Sequence, residues 1–173
     1  MPTARDEGYL AAMDAARHPA DLHALPKDLA ALGVELFGRE RMILWCEELL
    51  AGRAQDDDSR WPDIAWLGGT VGWADYWRRV WGARGLLHIG PPARPGIMLD
   101  ALADESWRVR EMSLKVIRRH GLEDPDGLID QLVNDPVERV RVQAWTTLGW
   151  NPDAHHGPPT GTIHLPSADS PRR

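Results

Sequence analysis

Cysteine is almost missing from this chain of 173 residues. Cys46 stands alone, so no intrachain disulfide can form and a reducing compartment is expected. Long apolar runs are missing too: no stretch of 18 apolar residues occurs, so no membrane-spanning helix is expected. The polar start Met-Pro-Thr-Ala-Arg-Asp-Glu-Gly lacks the apolar centre of a signal peptide, and the expected location is the cytoplasm. Positive charge is in deficit. A net charge of −6 and a pI near 5.6 argue against general affinity for nucleic acid, which needs a basic face to neutralise phosphates. No phosphate-cradling loop can be built from Gly68, Gly69 and Gly72, whose spacing fits no such pattern. His18, His23, His88 and His120 are scattered, and His155, His156 and His164 fall in a proline-rich tail. Asp56-Asp57-Asp58 lacks the Gly and terminal Glu of a calcium loop, so neither a metal nor another cofactor is expected. Strand-like alternation is also absent, which leaves an all-α fold.

What is present is tryptophan and helical periodicity. There are nine Trp against one Phe and two Tyr, and six of them (Trp61, Trp66, Trp73, Trp77, Trp81, Trp107) crowd into the middle of the chain. Residues 6–17 read as a short helix ended at His18-Pro19. Pro26 suits a first helical turn, and Leu29, Leu32, Leu36 and Phe37 recur at helical spacing up to Gly38. A second helix over 39–51 places Met42, Trp45, Cys46, Leu49 and Leu50 on one face, so 27–52 reads as an antiparallel hairpin. Cys46, on that face and without a nearby His, is expected to be buried and inert. Helix pairs then follow at 62–71 with 73–89, 96–103 with 107–120, and 126–134 with 137–149. The chain thus divides into N-terminal helices and an acidic loop (1–61), three helical hairpins (62–149) and a tail (150–173) whose five prolines read as disordered.

Internal repetition is the main signal. At an offset of 31, Ser113 falls on Ala144, Val109-Arg110 on Val140-Arg141, Ile117 on Leu148 and Asp104 on Asp135. Stepping back by 30 places Trp107 on Trp77, Ser113 on Ala83 and Ile117 on Leu87. Val109, Met112, Ser113, Val116 and Ile117 form one apolar stripe that a single hairpin cannot bury, so neighbouring units must stack.

Asp104 with Val109-Arg110, and Asp135-Pro136 with Val140-Arg141, resemble the HEAT-repeat signature in the short form of phycobilisome-lyase-like repeats. The match covers about 96–149, and the period is shorter than the roughly 40–47 residues of HEAT units. The stretch from Tyr76 to Leu87 is similar to a group of small bacterial HEAT-repeat proteins, in keeping with a cation set in which only Lys27 and Lys115 are not arginine. The resemblance implies a short α-α superhelix in which Asp104, Arg110, Asp135 and Arg141 form a structural hydrogen-bonded ladder between repeats.

Candidate sites can be placed on this frame. With Ala83 on the core stripe, which would then also hold Arg79, Trp77 and Trp81 point roughly 120° and 160° away from it. Either the 27–52 hairpin covers them or they anchor a partner. On the second reading the contact residues are Trp73, Trp77, Trp81, Arg78 and Arg108. The expected function is a non-catalytic protein-binding scaffold acting as a monomer or weak oligomer. Two other functions are weighed against it. Asp75 between Trp73 and Trp77 is similar to the arrangement of HEAT-like alkylpurine DNA glycosylases, where rings stack on a damaged base and an Asp supports the departing sugar. The repeat family alone suggests a chromophore-lyase-like or other small-ligand role. As a helix-surface or capping residue, Asp75 would instead be ordinary.

Overall fold

A computed structural model describes residues 18–55 and 58–150. The helix expected over 6–17, Asp56-Asp57 and the tail beyond Trp150 lie outside the described residues. Every regular element among them is helical: α1 (Pro26–Phe37), α2 (Arg39–Leu50), α3 (Tyr76–Ile89), α4 (Gly96–Asp100), α5 (Trp107–His120), α6 (Leu128–Leu132) and α7 (Glu138–Thr147). No helix among the described residues is long and apolar enough to cross a membrane.

The expected first hairpin is corrected. Residues 62–71 hold only a 3₁₀ turn, Ile64–Leu67. The Asp63 carboxylate accepts from the Ala65 amide at 2.8 Å and starts the turn, and Gly68 (φ 67°) stops it in the left-handed region. Arg84 reaches across from α3 and donates to the carbonyls of Leu67 (2.7 Å) and Gly68 (2.9 Å). The helical partner of α3 is instead α2. The second helices then pack in chain order, α2 on α3, α3 on α5 and α5 on α7, with α4 and α6 laid against α5 and α7. One apolar cluster runs through them all, from Ala30 to Ala144, so no break in the core falls at the expected boundary near residue 61.

The α2–α3 interface depends on missing side chains. A Cβ at Gly82 would stand 2.5 Å from the Cys46 carbonyl oxygen and 2.9 Å from the Leu50 amide; one at Gly85 would stand 2.4 Å from Cys46 Sγ. The helices therefore meet backbone to backbone at Gly82 and backbone to side chain at Gly85, with Met42, Trp45, Cys46 and Leu49 fully covered. Burial pushes the Cys46 thiol far above its ordinary range, with the neighbouring Glu47 charge adding to it, which disfavours the thiolate. Glu47, an acidic residue on the buried face of α2, accepts from the backbone amide of Arg94 (2.8 Å) and its Nε (2.7 Å), which straps the loop after α3 onto α2. Beside it Glu48 accepts from Arg53 and Arg94, and these hydrogen bonds, Arg53 foremost, draw its carboxyl down to about 2.

Gly82→Ala is expected to lower stability by about 1–3 kcal/mol despite alanine's better helix propensity, because the obstructing atoms are backbone. Gly85→Ala meets a thiol and a leucine methyl, so Cys46→Ala should recover part of its loss; melts of the single and double variants check both. Glu48 contributes stability above the unfolded carboxyl value of about 4.5, and that contribution is lost as pH falls towards 2. Denaturant titrations should therefore find Glu48→Gln less stable than wild type at pH 7, with the gap closing over that acid window.

Candidate functional site

The residues matching the repeat come together as a ladder. Arg79 donates Nε to Asp104 Oδ2 (2.7 Å) and Nη2 to Oδ1 (3.1 Å); Arg110 does the same to Asp135 (2.8 and 3.0 Å). Each aspartate also accepts from the backbone amide two residues on, Ser106 (2.7 Å) or Val137 (2.8 Å), so it organises the start of its own helix while holding the previous one. Each following arginine turns Nη1 back to that aspartate's carbonyl: Arg110 to Asp104 (2.7 Å) and Arg141 to Asp135 (2.8 Å). Asp104, Arg110, Asp135 and Arg141 are thus all placed in one network. Arg79 is the rung that sequence reasoning missed.

Arg79 also corrects the register. Arg79, Arg110 and Arg141 are spaced by 31, and α3 and α5 have equal lengths displaced by 31, so the offset of 30 for the first unit is wrong. At 31, Gly82 rather than Ala83 matches Ser113 and Ala144, and all three are buried. Arg78 falls on the core positions of Val109 and Val140. Its side chain is mostly covered and bonds Asp75 at 2.8 Å, which removes it from the expected contact set. Trp81, only 3% exposed, belongs to the core and leaves that set too; a Cβ at Gly69 would come within 2.8 Å of its ring.

Trp73, Trp77 and Arg108 remain, and they form a surface strip with neighbours that the repeat alone did not single out. Trp73 is 54% exposed and meets Trp77 edge-on at 5.0 Å. Trp77 stacks on the covered Trp81 at 6.0 Å and lies against Tyr76 at 5.5 Å. Arg108 lies over Trp107 (4.3 Å), Trp77 (5.6 Å) and Tyr76 (5.8 Å), and Arg139 covers Trp107 at 5.3 Å. Arg139 then bonds Glu111 at 3.1 Å, which Lys115 also bonds at 3.0 Å. The strip has a simple origin. Tyr76, Trp107 and Glu138 are the first residues of α3, α5 and α7, and Trp77, Arg108 and Arg139 the second, so the ladder that aligns the helices also aligns their first turns. The 31-residue spacing was the available signal.

Asp75 does not sit in a cleft among rings. Its side chain is 82% exposed and tied to Arg78. Elsewhere, a cavity of about 280 Å³ lies beside the 3₁₀ turn, lined by His18, Leu22, Asp63 and Val71 among others, with His18 Nδ1 3.3 Å from Asp63. Among the described residues no three His, Cys, Asp or Glu side chains converge as metal ligands. Comparison with family models, with curated proteins and with solved structures found no match.

Arg110→Ala would strand the nearly buried Asp135 carboxylate and is expected to cost about 3–5 kcal/mol. Asp75→Ala removes an exposed pair and should change stability by less than about 1 kcal/mol. Thermal melts in the opposite order would remove the ladder from its structural role.

Proposed function

We propose that this chain is a short HEAT-like helical stack serving as a non-catalytic, protein-binding scaffold, with the aromatic and guanidinium strip along the first turns of α3, α5 and α7 as its docking surface. The superhelical character of the stack belongs to the same proposal, supported by the 31-residue period and the repeated Arg–Asp rungs. The observation that carries the docking reading is the exposure of Trp73 beside half-buried Trp77 and Arg108. Large rings and arginine held in place at a surface are the residue types that dominate binding energy at protein interfaces. A base-handling enzyme has no comparable support, since Asp75 faces water. Nor does any feature favour a chromophore-handling role.

The test is capture of partners by wild type and by a Trp73→Ala/Trp77→Ala double variant shown by circular dichroism to be folded. Partners lost only from the variant are the expected result. An identical partner set would move the docking surface elsewhere on the molecule.

A further inference from the structure

We propose that Arg108 is a carboxylate-reading anchor, and that the strip takes an extended acidic peptide segment carrying one Asp or Glu near an apolar side chain; this rests on the scaffold reading above. The other arginines near the strip have carboxylate partners: Arg78 with Asp75, Arg79 with Asp104 and Glu105, Arg110 with Asp135, Arg139 with Glu111. Arg108 has none among the described residues, and its side chain makes no hydrogen bond to them. Its contacts are all with rings, Trp107, Trp77 and Tyr76. The guanidinium carbon lies over the faces of those rings, which holds the charge against the strip without an ion pair or hydrogen bond to a described residue. A planar carboxylate reaching the strip can therefore accept from the Arg108 N–H donors, the pairing a guanidinium fork favours.

Two observations narrow the ligand. Glu105 and Asp75 flank the strip with side chains 88% and 82% exposed, and the chain carries a net charge of −6. That field opposes a phosphate dianion or a nucleic-acid backbone more than it opposes one carboxylate. Trp73 lies one ring beyond Arg108, across Trp77, at no more than roughly 11 Å; an extended chain rising about 3.4 Å per residue places an apolar side chain there two or three residues from the acid.

The experiment uses an immobilised array of nine-residue peptides, each with Leu, Phe or Trp two or three positions from a central Asp, beside matched sets with Asn or phosphoserine in place of that Asp. The full-length protein is expected to favour Asp over Asn by about tenfold or more, a difference near 1.4 kcal/mol. Arg108→Gln should erase the preference, and Arg108→Lys should not restore it, because the planar fork is lost. Arg118→Gln, an exposed change later on α5, should leave it intact. Equal binding of Asp and Asn peptides, with both lost in Trp73→Ala, would overturn the role of Arg108 and leave the docking surface standing. A preference that survives Arg108→Gln, phosphoserine outranking Asp, competition by single-stranded DNA near 0.15 M salt, or no peptide binding would each overturn the proposal; the partner-capture test above decides separately whether the surface itself fails.

Discussion

The bidentate bonds of Arg79 to Asp104 and Arg110 to Asp135 set the geometry on which the surface depends. Apolar burial brings α3, α5 and α7 together, but it is non-directional and would tolerate a slide or rotation between them. A guanidinium fork on a carboxylate tolerates neither. Because each aspartate is also bonded to the amide two residues on, moving one helix would disturb the start of the next. The rungs thus convert approximate stacking into registered stacking. The alignment of Tyr76 and Trp77 with Trp107 and Arg108 is a by-product of that register.

Much of this is legible in the residues. The helix over 107–120 is bounded without error by the apolar stripe from Val109 to Ile117 and by Gly121, and Pro26 and Gly38 mark α1 and the start of α2 to within a residue. Asp104 and Asp135 carry the ladder because the same residue types return at one spacing. The first unit misleads because two alignments compete. An offset of 30 pairs Trp107 with Trp77, an attractive match of a rare residue; an offset of 31 pairs Trp107 with Tyr76 and Arg110 with Arg79. Side-chain identity favours the first, and hydrogen-bond geometry the second. The wrong offset takes Trp81 off the core stripe, leaving it either under the first hairpin or at a docking surface, and puts Arg79 on that stripe; Trp81 is instead a core residue and Arg79 lies partly covered in a rung.

The 62–71 segment fails for a different reason. Ile64, Trp66 and Leu67 are buried, as helix-core residues would be, yet Pro62, Gly68, Gly69 and Gly72 allow only a single turn. Burial there comes from packing under α1 and α3, with Arg84 satisfying the carbonyls a longer helix would have bonded itself. Hydrophobic content alone cannot separate a buried turn from a buried helix. Glu47 is equally hidden: its carboxylate is acceptable in the core only because Arg94, 47 residues away, returns to meet it.

The stack also joins its helices in two chemically different ways, and the difference explains where the rings are found. One unit before Asp104 the equivalent position is Trp73, so the ladder has no aspartate with which to hold α2. The α2–α3 contact is made instead by close approach at Gly82 and Gly85, which needs no polar partner and leaves the first turn of α3 without a rung of its own. Freed from that duty, the position can carry a large ring, and Trp73 there is exposed rather than bonded. Ring and guanidinium then meet at the boundary between the two packing modes. The aromatic end of the strip is what the ladder leaves where it stops, and Arg108, one unit further along, is the first charge it places beside those rings.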